Sequence, residues 1–289
     1  MSVLRKLTYP ELEKLVSWAR DEGWEPGLND AQQFWAYDAD GFLAIQESGK
    51  FVGGGAIVRH NHEYGFMGLF IVAAEHRGHG LGRELWFHRR DTLLERLGSN
   101  GAIGLDGVDA MVPFYAAGGF VQATRHRRFC FRRLGGSTVT ALGVVPLTDV
   151  SDEALSRLDR QCFPADRVAF LRRWSEQLSA KAFAIEDGED VLGFGVIRRC
   201  TSGWRIGPLF AESAQVADTL CHSLVASVTD ESSDDLPVFI DVPDANQEGI
   251  KWVKELGMEE VFGCERMYYG KAPEIAHHKI FGVTTLEIG

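Results

Sequence analysis

The sequence predicts an α/β protein made of two copies of one domain, each a mostly antiparallel sheet flanked by helices. Two observations carry this. Residues 66–72 form a continuous apolar run that passes through a glycine-rich turn into an amphipathic helical pattern ending at Leu97. A constant offset of 140 residues then lays the first half on the second. Leu7-Thr8 falls on Leu147-Thr148, Leu15 on Leu155, Ala44-Ile45 on Ala184-Ile185, and Leu69-Phe70 on Leu209-Phe210.

The elements follow in order. The N-terminus leads directly into a charged helical pattern over residues 10–19, where Leu12, Leu15 and Val16 share a stripe. Residues 29–37 read as a second, short helix. Residues 42–45 and 52–58 read as strands joined through Glu47-Ser48-Gly49-Lys50, a hairpin signal. Residues 66–72, apolar throughout, read as a strand buried on both faces. After the turn, Gly82, Trp86, Leu93 and Leu97 share one helical face and Glu84, His88, Asp91 and Glu95 the other, until Gly98-Ser99-Asn100-Gly101 stops the helix. A strand over 102–106, a short helix over 112–116 ended by Gly118-Gly119, and a strand through residues 128–131 close the first copy. Gly135-Gly136-Ser137 marks a linker, so the expected division is 1–134, a linker at 135–143, and 144–289.

The turn Arg77-Gly78-His79-Gly80-Leu81-Gly82 carries the chemistry. Glycines at a strand-to-helix junction leave backbone N–H groups uncovered at a positive helix end, which suits phosphate. A dinucleotide-binding turn requires Gly-x-Gly-x-x-Gly within repeated βαβ units, whereas these glycines are spaced 78, 80 and 82. A P-loop requires Gly-Lys-Ser/Thr, which does not follow. A glycine turn without a ligand is the bland alternative. Val72, five residues on Arg77-x-x-Gly80-x-Gly82, and the flanking strand and helix resemble the acyl-CoA pyrophosphate loop of the GNAT N-acetyltransferase superfamily. Phe114-Tyr115 followed by Gly119-Phe120 resembles that family's "Tyr … Gly-Phe" segment.

The resemblance implies a fold of two tandem GNAT-like domains and an acetyl-CoA co-substrate. It places the cofactor at Phe70, Ile71, Val72, Arg77, Gly78, His79, Gly80, Leu81 and Gly82, with backbone N–H groups near Phe70 to Val72 on the thioester carbonyl. Tyr115 matches the family's general acid, a phenol able to protonate the leaving thiolate. The general base stays open among Asp106, Glu63, His62 and a water chain. The implied reaction acetylates a primary amine on an unidentified small molecule or protein. A non-catalytic acyl-CoA sensor and a transferase of a longer acyl group are the alternatives. In the second copy the turn aligns with Ala217-Asp218-Thr219-Leu220-Cys221-His222, without glycine or arginine, and Lys251-Trp252-Val253-Lys254 stands where the tyrosine would be. That copy is expected to be degenerate and to bind no cofactor.

Composition sets the remaining bounds. The chain has 289 residues, 45% hydrophobic, enough for two cores. Its net charge of −11 falls on one side of residue 134: the first part holds 16 basic and 16 acidic residues, the remainder 14 and 25. An acidic half repels nucleic acid and membrane surfaces and favours a cationic acceptor. The basic run over residues 125–133 alternates like a strand with one polar face and ends a part of zero net charge, so it reads as a solvated strand edge or a CoA phosphate contact, not a nucleic-acid site. The five cysteines lie far apart without Cys-x-x-Cys pairs, which argues for buried thiols, against a metal site, and for a reducing compartment. No leader-like N-terminus and no membrane-length apolar run is present, so the expected location is the cytoplasm.

Overall fold

The computed structural model describes residues 2–132, 143–228 and 236–289, so the linker expected at 135–143 lies, apart from Gly143, outside the described residues. The first copy contains strand β1 (Ser2–Lys6), helices α1 (Tyr9–Asp21) and α2 (Asp30–Tyr37), and strands β2 (Phe42–Glu47), β3 (Lys50–Ala56), β4 (Val58–Arg59), β5 (Tyr64–Phe66) and β6 (Ile71–Val72). Helix α3 (Leu81–Arg96), strand β7 (Ala102–Gly107), helix α4 (Val112–Ala117) and strand β8 (Val121–Phe131) complete it. The second copy runs β9 (Val144–Pro146), α5 (Asp152–Cys162), α6 (Val168–Glu176), β10 (Ala180–Asp187), β11 (Asp190–Arg199), β12 (Trp204–Ala211), α7 (Ala214–Ala226), β13 (Val238–Pro243), α8 (Gln247–Glu255), β14 (Glu259–Tyr269) and β15 (Ile280–Gly282).

Most of this is as the sequence predicts, with three local differences. The strand expected over 52–58 breaks at Ile57 into β3 and β4, which lie in different sheets. Residues 2–6 form a strand paired antiparallel to β2, not a lead into helix. The expected continuous strand over 66–72 is split. Its first part pairs with β7 and its second with β3, and between them Leu69 adopts φ +48°. That region is costly for a branched side chain, so the break is held by its surroundings. It lets the strand leave one neighbour and join another, opening a gap against β7.

The two copies share one sheet. Its order is β4-β5-β7-β14-β8-β13-β12-β11-β10-β9, while β1-β2-β3-β6 form a separate four-stranded sheet. Strand β14 of the second copy thus lies between β7 and β8 of the first, and β8 lies between β14 and β13. The arrangement is symmetric about the β14–β8 pair, with β5, β7 and β8 answering to β12, β13 and β14. The basic run on β8 is therefore interior to the sheet, which corrects the expectation of a solvated edge. Arg125 pairs with Asp109 at 2.6 Å and Glu265 at 2.9 Å, and Arg127 with Asp244 at 2.5 Å and Glu260 at 2.9 Å. Arg128, two positions from His126 on the buried face, meets Asp241 at 2.8 Å. The apolar core is also joint: Phe34 of α2 stacks on Trp174 of α6 at 6.0 Å, and the buried pair Asp30–Arg198 closes at 2.9 Å.

The C-terminal segment treats the two copies differently. In the second copy β12 is parallel to β13 only over Trp204–Ile206; β15 then pairs with Leu209 and Phe210, and Val283 N–H donates to the Asp241 carbonyl at 2.9 Å. The gap is filled by the chain's own tail. The tail continues to the first copy, where a Cβ on Gly68 would stand 2.0 Å from the Glu287 carbonyl oxygen. It is pinned by Arg167, which donates to Thr284 Oγ1 at 2.8 Å and to the Gly289 carbonyl, and by His60 Nε2, 2.8 Å from the Ile288 carbonyl. Burial, reinforced by Arg167, pushes the His60 pKa down to about 3. The neutral ring can then donate from Nε2 and accept from Tyr37 at Nδ1, 2.9 Å away.

Gly68→Ala is expected to displace the tail and destabilise the protein by about 1–3 kcal/mol, as overpacking of a tight contact does. Denaturant unfolding measures this, and an unchanged midpoint would show that the tail yields freely.

Candidate active site

The gap between residues 67–72 and β7 is a cavity of about 380 Å³. Glu22 and Trp24, just after α1, line it, and the other walls come from four places. The broken strand supplies residues 67–72, and β7 and the turn after it supply Leu105, Asp106 and Val108. Helices α3 and α4 supply Gly82, Arg83, Trp86, Phe114 and Tyr115. The second copy supplies Phe262 and Cys264 of β14 and Leu286 and Glu287 of the tail. Those four residues had no signal in the sequence pattern, because the strand exchange and the path of the tail bring them here.

At one end the glycine turn enters α3. Gly78 and Gly80 have φ of +82° and +85°, and a Cβ built on either meets nothing within 4 Å. Gly80 is the N-cap of α3 and brings no capping side chain. The turn thus combines a positive helix end with open space in front of its backbone, the combination that receives an anion. Arg77 donates from Nε to the Val72 carbonyl at 2.8 Å and pairs with Glu22. His79 is exposed and Leu81 buried, so Leu81 anchors the helix while the glycines stay free. Of the nine residues expected at the cofactor, Phe70, Ile71, Val72, Arg77 and Gly82 line the cavity, and Gly78, His79, Gly80 and Leu81 continue the turn beyond it. Among the described residues the N–H groups of Leu69 and Phe70 make no hydrogen bond, so this stretch has donors to spare.

Tyr115 is buried on the cavity wall, 4.8 Å from Trp86 between ring centroids. A Cβ on Gly107 would stand 2.5 Å from its Cε2, so glycine there is what admits the ring. Burial pushes the phenol up to about 12, opposed by Arg89, so it carries its proton at neutral pH. Arg89 itself lies fully buried in α3, a position the polar side of the pattern did not mark. Its Nη2 donates to the carbonyls of Ala56 and Gly68 at 2.6 and 2.7 Å, bridging the point where the strands part.

The candidates for general base separate. Glu63 and His62 are exposed and do not line the cavity. Asp106 does, but it accepts from Arg266 at 2.8 and 2.7 Å and stands 3.1 Å from His126 Nδ1. Burial alone would raise its pKa; Arg266 and His126 reverse this and hold it at about 2. Asp106, His126 and Cys264 have ligand atoms within 4.8 Å of one another, yet both Asp106 oxygens already accept from the Arg266 guanidinium. All five cysteines are free thiols.

The second copy lacks this site for a reason the fixed offset misses. Eight residues separate β6 from α3, but only Glu212 and Ser213 separate β12 from α7. Ala217 to His222 therefore fall inside α7, and the turn is deleted, not altered in place. Ser213 caps that helix, accepting from the Val216 N–H at 3.4 Å.

A glycine turn at a helix start, beside a strand that parts from its neighbour and a buried phenol, defines an acyl-group transferase. A family model described as "Acetyltransferase (GNAT) family" matches residues 9–120, and one described as "Acetyltransferase (GNAT) domain" matches residues 155–282. The holothin acyltransferase of Pseudoalteromonas sp. is 32% identical over 280 residues, covering 96% of this chain and 92% of that protein. A putative acetyltransferase from Pyrococcus horikoshii superposes with a TM-score of 0.83 at 21% identity, covering 100% of this chain and 96% of the other. A tandem GNAT protein from the clavulanic acid biosynthesis pathway superposes with a TM-score of 0.66 at 14% identity, covering 94% and 99%. This chain belongs to the GNAT acyltransferase family, in its tandem-domain form. Among the described residues no helix is long and apolar enough to cross a membrane.

Asp106→Asn leaves Arg266 buried without its carboxylate. It should cost about 3–5 kcal/mol in denaturant unfolding. A loss of turnover with an unchanged unfolding midpoint would mark Asp106 as a proton acceptor instead.

Proposed function

We propose that the chain transfers an acetyl group from acetyl-CoA to a primary amine by direct attack in a ternary complex, in the cytoplasm. The observation that carries this is the pairing of one open cleft with one filled cleft. The first copy keeps the turn at 77–82 and the cavity, whereas the second has lost its turn and holds β15 in the equivalent gap. In this reading the backbone of Gly78 to Gly82 and Arg77 receive the pyrophosphate, and spare N–H groups near Phe70 polarise the thioester carbonyl. Tyr115 gives its proton to the departing sulfur. A phenol at about 12 suits this role because a thiolate released in the same buried space is raised by the same desolvation.

A longer acyl group is the second reading. The apolar walls at Met67, Leu105, Met111 and Phe114 accept methylenes as readily as a methyl, and the curated relative is named for acyl transfer. Turnover across acyl-CoA donors of increasing chain length decides between them.

Calorimetric titration should saturate at one acetyl-CoA per chain. Gly80→Asp, which sets a carboxylate before the helix end and forces a side chain into φ +85°, should abolish binding while the fold persists. A stoichiometry of two, or unchanged affinity in Gly80→Asp, would overturn the cofactor assignment. Tyr115→Phe should lower turnover by about 10²–10⁴-fold with little change in acetyl-CoA affinity. Full activity in that variant would make Tyr115 a packing residue.

A further inference from the structure

Three carboxylates line the cavity, and each is tied to an arginine: Glu22 to Arg77, Asp106 to Arg266, and Glu287 to Arg205. The only one from the acidic second half is Glu287, and it too is paired, so these carboxylates offer a cationic acceptor no unpaired charge. An alkylammonium entering here would lose its water beside Met67, Phe70, Trp86, Phe114 and Phe262 and meet no free counter-charge. An amine that is uncharged at neutral pH avoids that cost, and a flat one fits aromatic walls.

Glu287 differs from the other two carboxylates. It is 2% exposed and comes from the second copy's tail. It lines the cavity and ends a buried chain of alternating charges: Arg128 to Asp241 at 2.8 Å, Asp241 to Arg205 at 2.7 Å, and Arg205 to Glu287 at 3.2 Å. Oε1 accepts from Arg205 and Oε2 from the Thr285 hydroxyl, so the head group is fixed in orientation. Its backbone lies against Gly68, four residues before Val72, so along the broken strand it stands at the end away from the glycine turn.

Building on the acyl-transfer reading above, we propose that the acceptor is a flat, weakly basic aromatic amine bound between the two copies, with its N–H held by the Glu287 carboxylate. The nitrogen lone pair forms the bond to the thioester carbon, the carbon–sulfur bond breaks, and Tyr115 protonates the sulfur. Once bonded to the acyl carbon the nitrogen carries a positive charge and is strongly acidic, so its extra proton is released to solvent, while Glu287 holds the other N–H and orients the amine. Tyr115 regains its proton from solvent, leaving one amide and one thiol.

The test compares matched acceptors, anilines against cyclohexylamines of the same size, with acetyl-CoA as donor and free thiol as readout. Anilines should react with kcat/KM at least 100-fold above their partners at pH 7. Glu287→Gln should raise the aniline KM more than tenfold and lower kcat, while the acetyl-CoA Kd stays within twofold. Should that variant unfold, Glu287→Asp keeps the charge opposite Arg205 but withdraws it by one methylene, and should lower aniline turnover at least tenfold at unchanged acetyl-CoA Kd. Preference for cyclohexylamines, or no turnover of any aniline, overturns the substrate class. Unchanged aniline kinetics in a folded Glu287 variant overturns the role of Glu287. Failure of the wild-type protein to bind acetyl-CoA would instead sink the acyl-transfer reading, so the two failures are distinguishable.

Discussion

The rest of this structure depends on the exchange of two long strands. Strands β7 and β8 belong to one copy, yet what lies between them is β14 of the other. Neither copy completes its sheet alone, and the eleven-residue ladders of β8 and β14 are hidden at the centre, where exposed edges would otherwise invite association. The register is fixed by charge as well as by hydrogen bonds. Arg125 and Arg127 meet carboxylates on one face, while His126 and Arg128 meet Asp106 and Asp241 on the other. A slip of one residue would turn both sets to the wrong side and bury unpaired charge.

The exchange also makes the candidate active site a joint product. Because β14 is the neighbour of β7, Phe262 and Cys264 face a cavity whose other wall is the broken strand of the first copy. The tail that follows β14 then runs through the second copy's gap and ends against the first copy's Gly68. One segment therefore closes one cleft and furnishes the other. The second copy's gap holds β15, and its tail brings Glu287 to the cavity of the first.

Buried charge is unusually dense along this seam, with Arg128, Arg198, Arg205, Asp30, Asp241 and Glu287 all nearly inaccessible. Such pairs contribute little net stability once desolvation is counted, but breaking one is costly. Their effect here is positional. They hold the tail, the loop around Trp24 and Glu25, and β8 in one arrangement, since Arg128 and Arg205 also donate to the Trp24 carbonyl.

The sequence by itself determined most elements of the first copy, the family and the glycine turn, since these rest on local pattern: periodicity, glycines whose positive φ the turn requires, and an apolar run before a helix. It also showed that the two halves are copies, and that Tyr115 and the turn belong to the first. Tertiary structure decided what local pattern cannot encode. The same alternating strand from 121 to 131 could have been an edge or a centre, and only pairing with β13 and β14 made it a centre. Arg89, which the helical pattern did not mark, is buried because its guanidinium reaches two carbonyls where the strands part. The missing turn of the second copy was disguised by a constant offset, since a deletion before α7 is invisible to ungapped comparison. Glu287, over 200 residues from the glycine turn in sequence, reaches the cavity only because the tail threads both copies. Chain separation of that size carries no sequence signal, and packing alone brings such residues together.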